Sequence, residues 1–150
     1  MFAIPLATTS DWSPLVIRLA LAVSMFPHGA QKLLGWFGGY GFSGTMGFFT
    51  ESMGIPAALA FLVIIAESLG AVALFVGALS RVAAFGIGIT MTVAMFMGHT
   101  ANGFFMNWYS NQAGEGFEYH LLAIGLAIIT LVSGGGKLSL DGALAKPTAA

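Results

Sequence analysis

Residues 56–79 read PAALAFLVIIAESLGAVALFVGAL. A proline opens the run, one charged residue (Glu67) interrupts it, and the rest is apolar or small. About 20 predominantly apolar residues cross a bilayer core as a helix, so this stretch predicts a transmembrane span. Three further stretches share its character: about Leu15 to Leu34, Val82 to Phe105 and Phe117 to Val132. The last is short and would cross nearly upright or thin the bilayer locally. Only a residue or two around Ser80-Arg81 separate the second span from the third, so these helices are antiparallel neighbours. The fold class that follows is an all-α membrane protein, a four-transmembrane-helix bundle occupying the chain as a single domain.

Composition agrees. The chain is 57% hydrophobic and 7% charged, with a mean hydropathy of +0.89, where soluble domains carry about 25% charged residues. The expected surroundings are the lipid bilayer. A net charge of −1 leaves no basic surface for nucleic acid and no polybasic tract for anionic lipid. Cysteine is absent, which excludes disulfides, thiolate metal sites and cysteine-ligated iron–sulfur clusters in this chain. The run Gly38 to Gly44 is glycine-rich, but no strand precedes it, so it is no dinucleotide fingerprint. There is no P-loop and no Gly-x-Ser-x-Gly elbow.

Punctuation sets the connections. Pro14 suits a first helical turn with Ser13 as its cap. Between the first two spans, Ser43 to Met53 predicts a short helix, ended by Gly54 and Pro56, whose Phe48 and Phe49 place it in the membrane interface. Asn102 to Gly116 reads as an irregular loop, and Gly134-Gly135-Gly136 stops the last span. Met1 to Ser13 carries no Lys or Arg, so the first apolar stretch reads as a retained span rather than a secretory signal. Arg81, Lys137 and Lys146, with Arg18 nearby, fall on the side shared by both termini, and only Lys32 nears the other. The positive-inside rule therefore puts both termini in the cytoplasm. All six Trp and Tyr residues fall at span ends or in loops, as an aromatic belt requires.

The polar residues inside the spans are the candidates for chemistry, because a charge near the midplane costs roughly 3 kcal/mol or more unless paired. Glu67 is that residue in span two, and Arg18 is its expected ion-pair partner; Gly70, Ala71 and Gly77 share its side of the helix. Span one also holds His28, Gln31 and Lys32, just after a helix-interrupting Pro27. Span three carries Gly88, Thr92, Met95, His99 and Asn102 at helical steps, one face with a polar outer end level with Lys32. Span four opens Glu118-Tyr119-His120; residues two apart diverge by about 200°, so Glu118 is placed inward and His120 at the periphery. His28, Lys32, His99 and Glu118 as reacting groups, with Gln31, Asn102 and Tyr119 as binding groups, would converge in the outer half of the bundle. Such a cluster suits a quinone headgroup or a small anion. A bland reading fits the same residues: Lys32 snorkels, the histidines bond neighbouring helices, and Arg18 with Glu67 fixes helix register. No metal or haem spacing is present, and no His-x-x-x-His occurs.

With those residues in hand, the chain resembles the DoxX family of small bacterial membrane proteins. The resemblance runs from about Leu15 to Leu144. It is carried by Pro27-His28-Gly29-Ala30-Gln31-Lys32-Leu33-Leu34-Gly35-Trp36-Phe37-Gly38-Gly39, by Gly44-Thr45 with Phe48-Phe49, and by Met53-Gly54-Ile55-Pro56. Glu67, Asn102-Gly103-Phe104-Phe105, Glu118-Tyr119 and Gly136-Lys137-Leu138-Ser139-Leu140-Asp141 complete it. The resemblance implies a four-helix protein of the bacterial inner membrane, labelled an oxidoreductase. Some relatives look like the membrane subunit of a thiosulfate:quinone oxidoreductase, and others are tied to quinone or catechol stress or to membrane-bound redox complexes. The leading expectation is thus a quinone-linked oxidoreductase, or a membrane subunit of one, with a membrane or peripheral redox protein as partner; a homo-oligomer is compatible. Two alternatives stay open: a non-catalytic subunit anchoring a larger complex, and a small-solute or proton pathway built on Glu67.

Overall fold

A computed structural model describes residues 8–145; Lys146, counted above for orientation, lies outside them. Six α-helices follow one another, and no strand occurs among the described residues. Helix α1 is Trp12–Leu34, and a single 3-10 turn, Trp36–Gly38, leads to the short α2, Gly41–Gly47, which runs on into a π-helical turn, Phe48–Ser52. Helix α3 is Ala57–Val76, and α4 is Ser80–Ala94, extended by a π turn, Met95–His99, and a 3-10 turn, Thr100–Asn102. After the loop come α5, Glu118–Ser133, and the short α6, Leu140–Leu144.

The boundaries follow local chemistry. Pro56 stands immediately before α3, where a missing N–H costs nothing. The helix ends at Gly77, whose φ of 68° closes the last turn in a left-handed conformation. The α3–α4 turn is tight enough to hold Leu79 at φ 48°, a conformation worth about 1–2 kcal/mol of strain for a residue with a Cβ. Asp141 compensates: its buried carboxylate accepts the N–H of Leu79 at 2.7 Å and of Ser80 at 2.8 Å, capping α4. At α1 the expectation fails in detail. Asp11, not Ser13, is the residue before the helix, and no side chain caps it.

Four long helices pack side by side, α1 against α3 and α5, and α4 against the same two. Leu21, Met25, Leu74, Ile87 and Met91 fill the centre, with Ala71, Ala123 and Ala127 between them. The outside is as apolar as the inside: Val16, Leu62, Leu69, Phe85, Leu122 and Val132 are exposed. Contiguous exposure of this kind marks a membrane surface. Ala57–Val76 and Ser80–Asn102 are long and apolar enough to cross a membrane, whereas Glu118–Ser133 is apolar but shorter.

Candidate functional site

Glu67 sits in the middle of α3 and is 2% exposed. Its partner is Lys32 from the last turn of α1, whose Nζ donates to the carboxylate in a direct ion pair. The two helices meet closely because Gly29 lies against the backbone of Glu67 and Ser68; a Cβ there would overlap the Glu67 carbonyl oxygen. This corrects the expected Arg18–Glu67 pair. Arg18 is buried two turns farther along, donating to the carbonyls of Gly135 (2.6 Å), Leu74 (2.6 Å), Phe75 (2.7 Å) and Leu138 (2.8 Å). Leu74 follows Glu67 by seven residues, or about 10 Å of helix, which puts the carboxylate out of reach. Lys32 instead reaches down to Glu67, so it does not stand apart at the outer level.

Next to the ion pair runs a column of rings. His28 and Tyr119 have centroids 5.5 Å apart, and the Tyr119 hydroxyl donates to the Ser24 carbonyl at 3.2 Å. Tyr119 meets His120 at 5.9 Å, and His120 meets His99 at 4.1 Å. His120 is 6% exposed, and its Nδ1 has no hydrogen-bond partner among the described residues. Two imidazolium charges at this separation would repel by about 4 kcal/mol at an effective dielectric of about 20.

The inward residue of span four is thus His120, and the expectation that Glu118 faces in is corrected. Glu118 is the first residue of α5, and both its ends serve the loop before it. Its N–H donates to the Phe104 carbonyl (2.9 Å), and its carboxylate accepts the Met106 N–H (3.3 Å). Gln31 is corrected likewise: its amide donates to the Phe37 carbonyl at 3.2 Å and braces the turn after α1. Asn102 stays near the site, donating to the Glu115 carbonyl at 3.1 Å, the same oxygen that His99 Nδ1 contacts at 3.0 Å. The single seam expected along span three splits. Gly88 and Thr92 line a groove with Ala127 of α5, whereas His99 lines a different cavity.

That cavity, about 310 Å3, lies between the Phe48–Ser52 turn with the residues after it, α3 and the end of α4. Phe48, Phe49, Val63, Val93 and Met97 give it apolar walls, and Glu67, Thr90 and His99 are its polar groups. Ligand pockets of roughly 300–1,000 Å3 with a few convergent polar groups are the usual form of a small-molecule site. His120 was expected at the periphery, and Asp141, the cap of α4, was marked in the sequence only as the last residue of the Gly136–Asp141 motif.

Residues 13–100 match the model of the DoxX family. The match is shorter than the resemblance from Leu15 to Leu144, and it leaves Tyr119 and His120 of α5 outside. No curated protein and no solved structure matches the chain.

Proposed function

The chain belongs to the DoxX family, and from that premise we propose a four-span protein of the bacterial inner membrane that binds a quinone headgroup as a membrane component of an oxidoreductase. The cavity carries this reading. Its walls are apolar and aromatic, its polar groups are few, and it is bordered by helices that expose apolar residues to lipid. A flat ring with oxygens at its edge and an apolar tail fits such a space, and reaches it from the bilayer. Phe48, Phe49 and Met97 would pack on the ring. The Thr90 hydroxyl would donate to an oxygen of the ring, with His99 and the Lys32-paired Glu67 beside it as acid–base groups. The rings of His28, Tyr119 and His120 lie outside the lining, with His120 against His99. Because the chain has no cysteine and no redox-cofactor motif, electrons are exchanged with a partner protein in this reading.

The test is to purify the chain in mild detergent and identify by mass spectrometry the proteins and quinones that accompany it, beside an Ala94→Trp variant that fills the cavity. The reading expects quinone with the parent protein and about tenfold less with the variant at an unchanged elution position. A parent protein that carries no quinone and takes up none when offered it would refute the quinone site. A stoichiometric redox partner in that quinone-free case would favour the anchoring-subunit alternative.

A further inference from the structure

The two acid–base groups that line the cavity have their hydrogen-bonding direction set by their surroundings. His99 Nδ1 lies 3.0 Å from the Glu115 carbonyl oxygen. A carbonyl oxygen only accepts, so Nδ1 carries the hydrogen. In a neutral imidazole the other nitrogen then presents a lone pair. The orienting carbonyl is itself held: Asn102 donates to it at 3.1 Å, and the Glu115 carboxylate accepts the Asn107 N–H at 2.6 Å, closing the loop on itself. No hydrogen bond reaches His99 Nε2 among the described residues. Glu67 shows the same polarity. Its Oε2 is taken by Lys32, while its Oε1 receives no hydrogen bond among the described residues. Both residues line the cavity, one from the end of α4 and one from α3, so each has an acceptor that no protein donor occupies beside it.

We infer that the cavity binds the reduced, dihydroxy form of its ring ligand, the hydroquinol, ahead of the quinone, with its hydroxyls donating to His99 Nε2 and Glu67 Oε1. This rests on the quinone-site reading and deepens it. A quinone carries two acceptor oxygens and no donor, so against these lone pairs it makes no hydrogen bond and meets repulsion. A hydroquinol supplies two O–H donors and meets both acceptors. Thr90, the third polar residue, has a hydroxyl that can serve either form. Linkage then requires that the bound couple be a stronger electron acceptor than the same couple free in the bilayer, since binding favours its reduced member.

The experiment titrates the delipidated protein, without oxygen and in alkaline buffer, with decylubiquinone and separately with its chemically reduced quinol, by calorimetry. The expected result is quinol binding about tenfold tighter than quinone. In His99→Phe, whose fold is checked by elution and helicity, the preference should shrink to about threefold or less. The wild-type comparison needs no variant: quinone binding as tightly as quinol overturns the inference, as does an undiminished preference in folded His99→Phe. If quinone binds without preference and Ala94→Trp abolishes it, the quinone site stands and this inference alone fails. If neither form binds, both fail.

Discussion

Replacing Arg18 by Met should loosen the end of the bundle that carries the C-terminal segment. The guanidinium is 1% exposed and makes four short hydrogen bonds, to the carbonyls of Leu74, Phe75, Gly135 and Leu138. Leu74 and Gly135 are buried residues, so water cannot replace the donor there. The Leu74 oxygen keeps the Gly77 N–H at 3.2 Å, whereas the Gly135 oxygen is left unmet, which costs about 1–3 kcal/mol. The Phe75 and Leu138 carbonyl groups, only partly buried, each lose one donor as well. Asp141 also loses a nearby cation. Removing one member of a buried charge pair and leaving Asp141 uncompensated costs about 3–5 kcal/mol and is the larger effect. Arg18→Met should therefore lose about 3–5 kcal/mol in a denaturing-detergent titration in mixed micelles. Arg18→Lys should recover less than half of that, since a single ammonium cannot reach carbonyls spread over two segments. A local readout accompanies the global one. Lys137 is exposed and its own carbonyl faces Arg18, so trypsin should cut after Lys137 about tenfold faster in Arg18→Met. A loss below about 1 kcal/mol with unchanged cleavage would show that this network contributes nothing measurable.

The same titration tests three other sites. Lys32→Met strands the Glu67 carboxylate and should cost about 3–5 kcal/mol, while Lys32→Met with Glu67→Leu should return to within about 1 kcal/mol of the parent; equal losses in both would mean the ion pair is not what the single change breaks. Gly29→Val forces α1 away from α3, where even a Cβ would sit 2.5 Å from the Ser68 Cα, and should cost about 2 kcal/mol or more; a neutral outcome would contradict the close helix approach. Asp141→Ala removes the acceptor for the N–H groups of Leu79 and Ser80 and should cost about 1–2 kcal/mol, with hydrogen exchange rising first at those two amides.

The long helices were legible because prolines and glycines bracket them. Ala57–Val76 falls within the span expected from residue 56 to 79, and Glu118–Ser133 is displaced by one residue from the span expected over 117–132. The short helix after α1 was legible for the same reason. Helix α6 and its Asp141 were not. Five residues are too few for periodicity to show, and the burial of Asp141 depends on the chain returning to the α3–α4 turn some 60 residues back.

What sequence located poorly was rotation, and lipid is the cause. In water, the polar face of a helix tells which side is inward. Here α3 exposes Leu59, Leu62 and Leu69 and buries Ile64 and Leu74, so both faces are equally apolar. Residue size carries what polarity cannot: Gly70 and Ala71, placed beside Glu67 from the sequence, are buried with it. Size alone does not survive a break in helical phase. The π turn at Met95–His99 inserts an extra residue, about 100° of rotation, so a face projected from Gly88 and Thr92 no longer predicts where His99 points. The same turn that defeats the projection brings His99 to the cavity wall and against His120. The irregular end of α4 thus gives the cavity its polar group from that helix while keeping the imidazole in contact with α5.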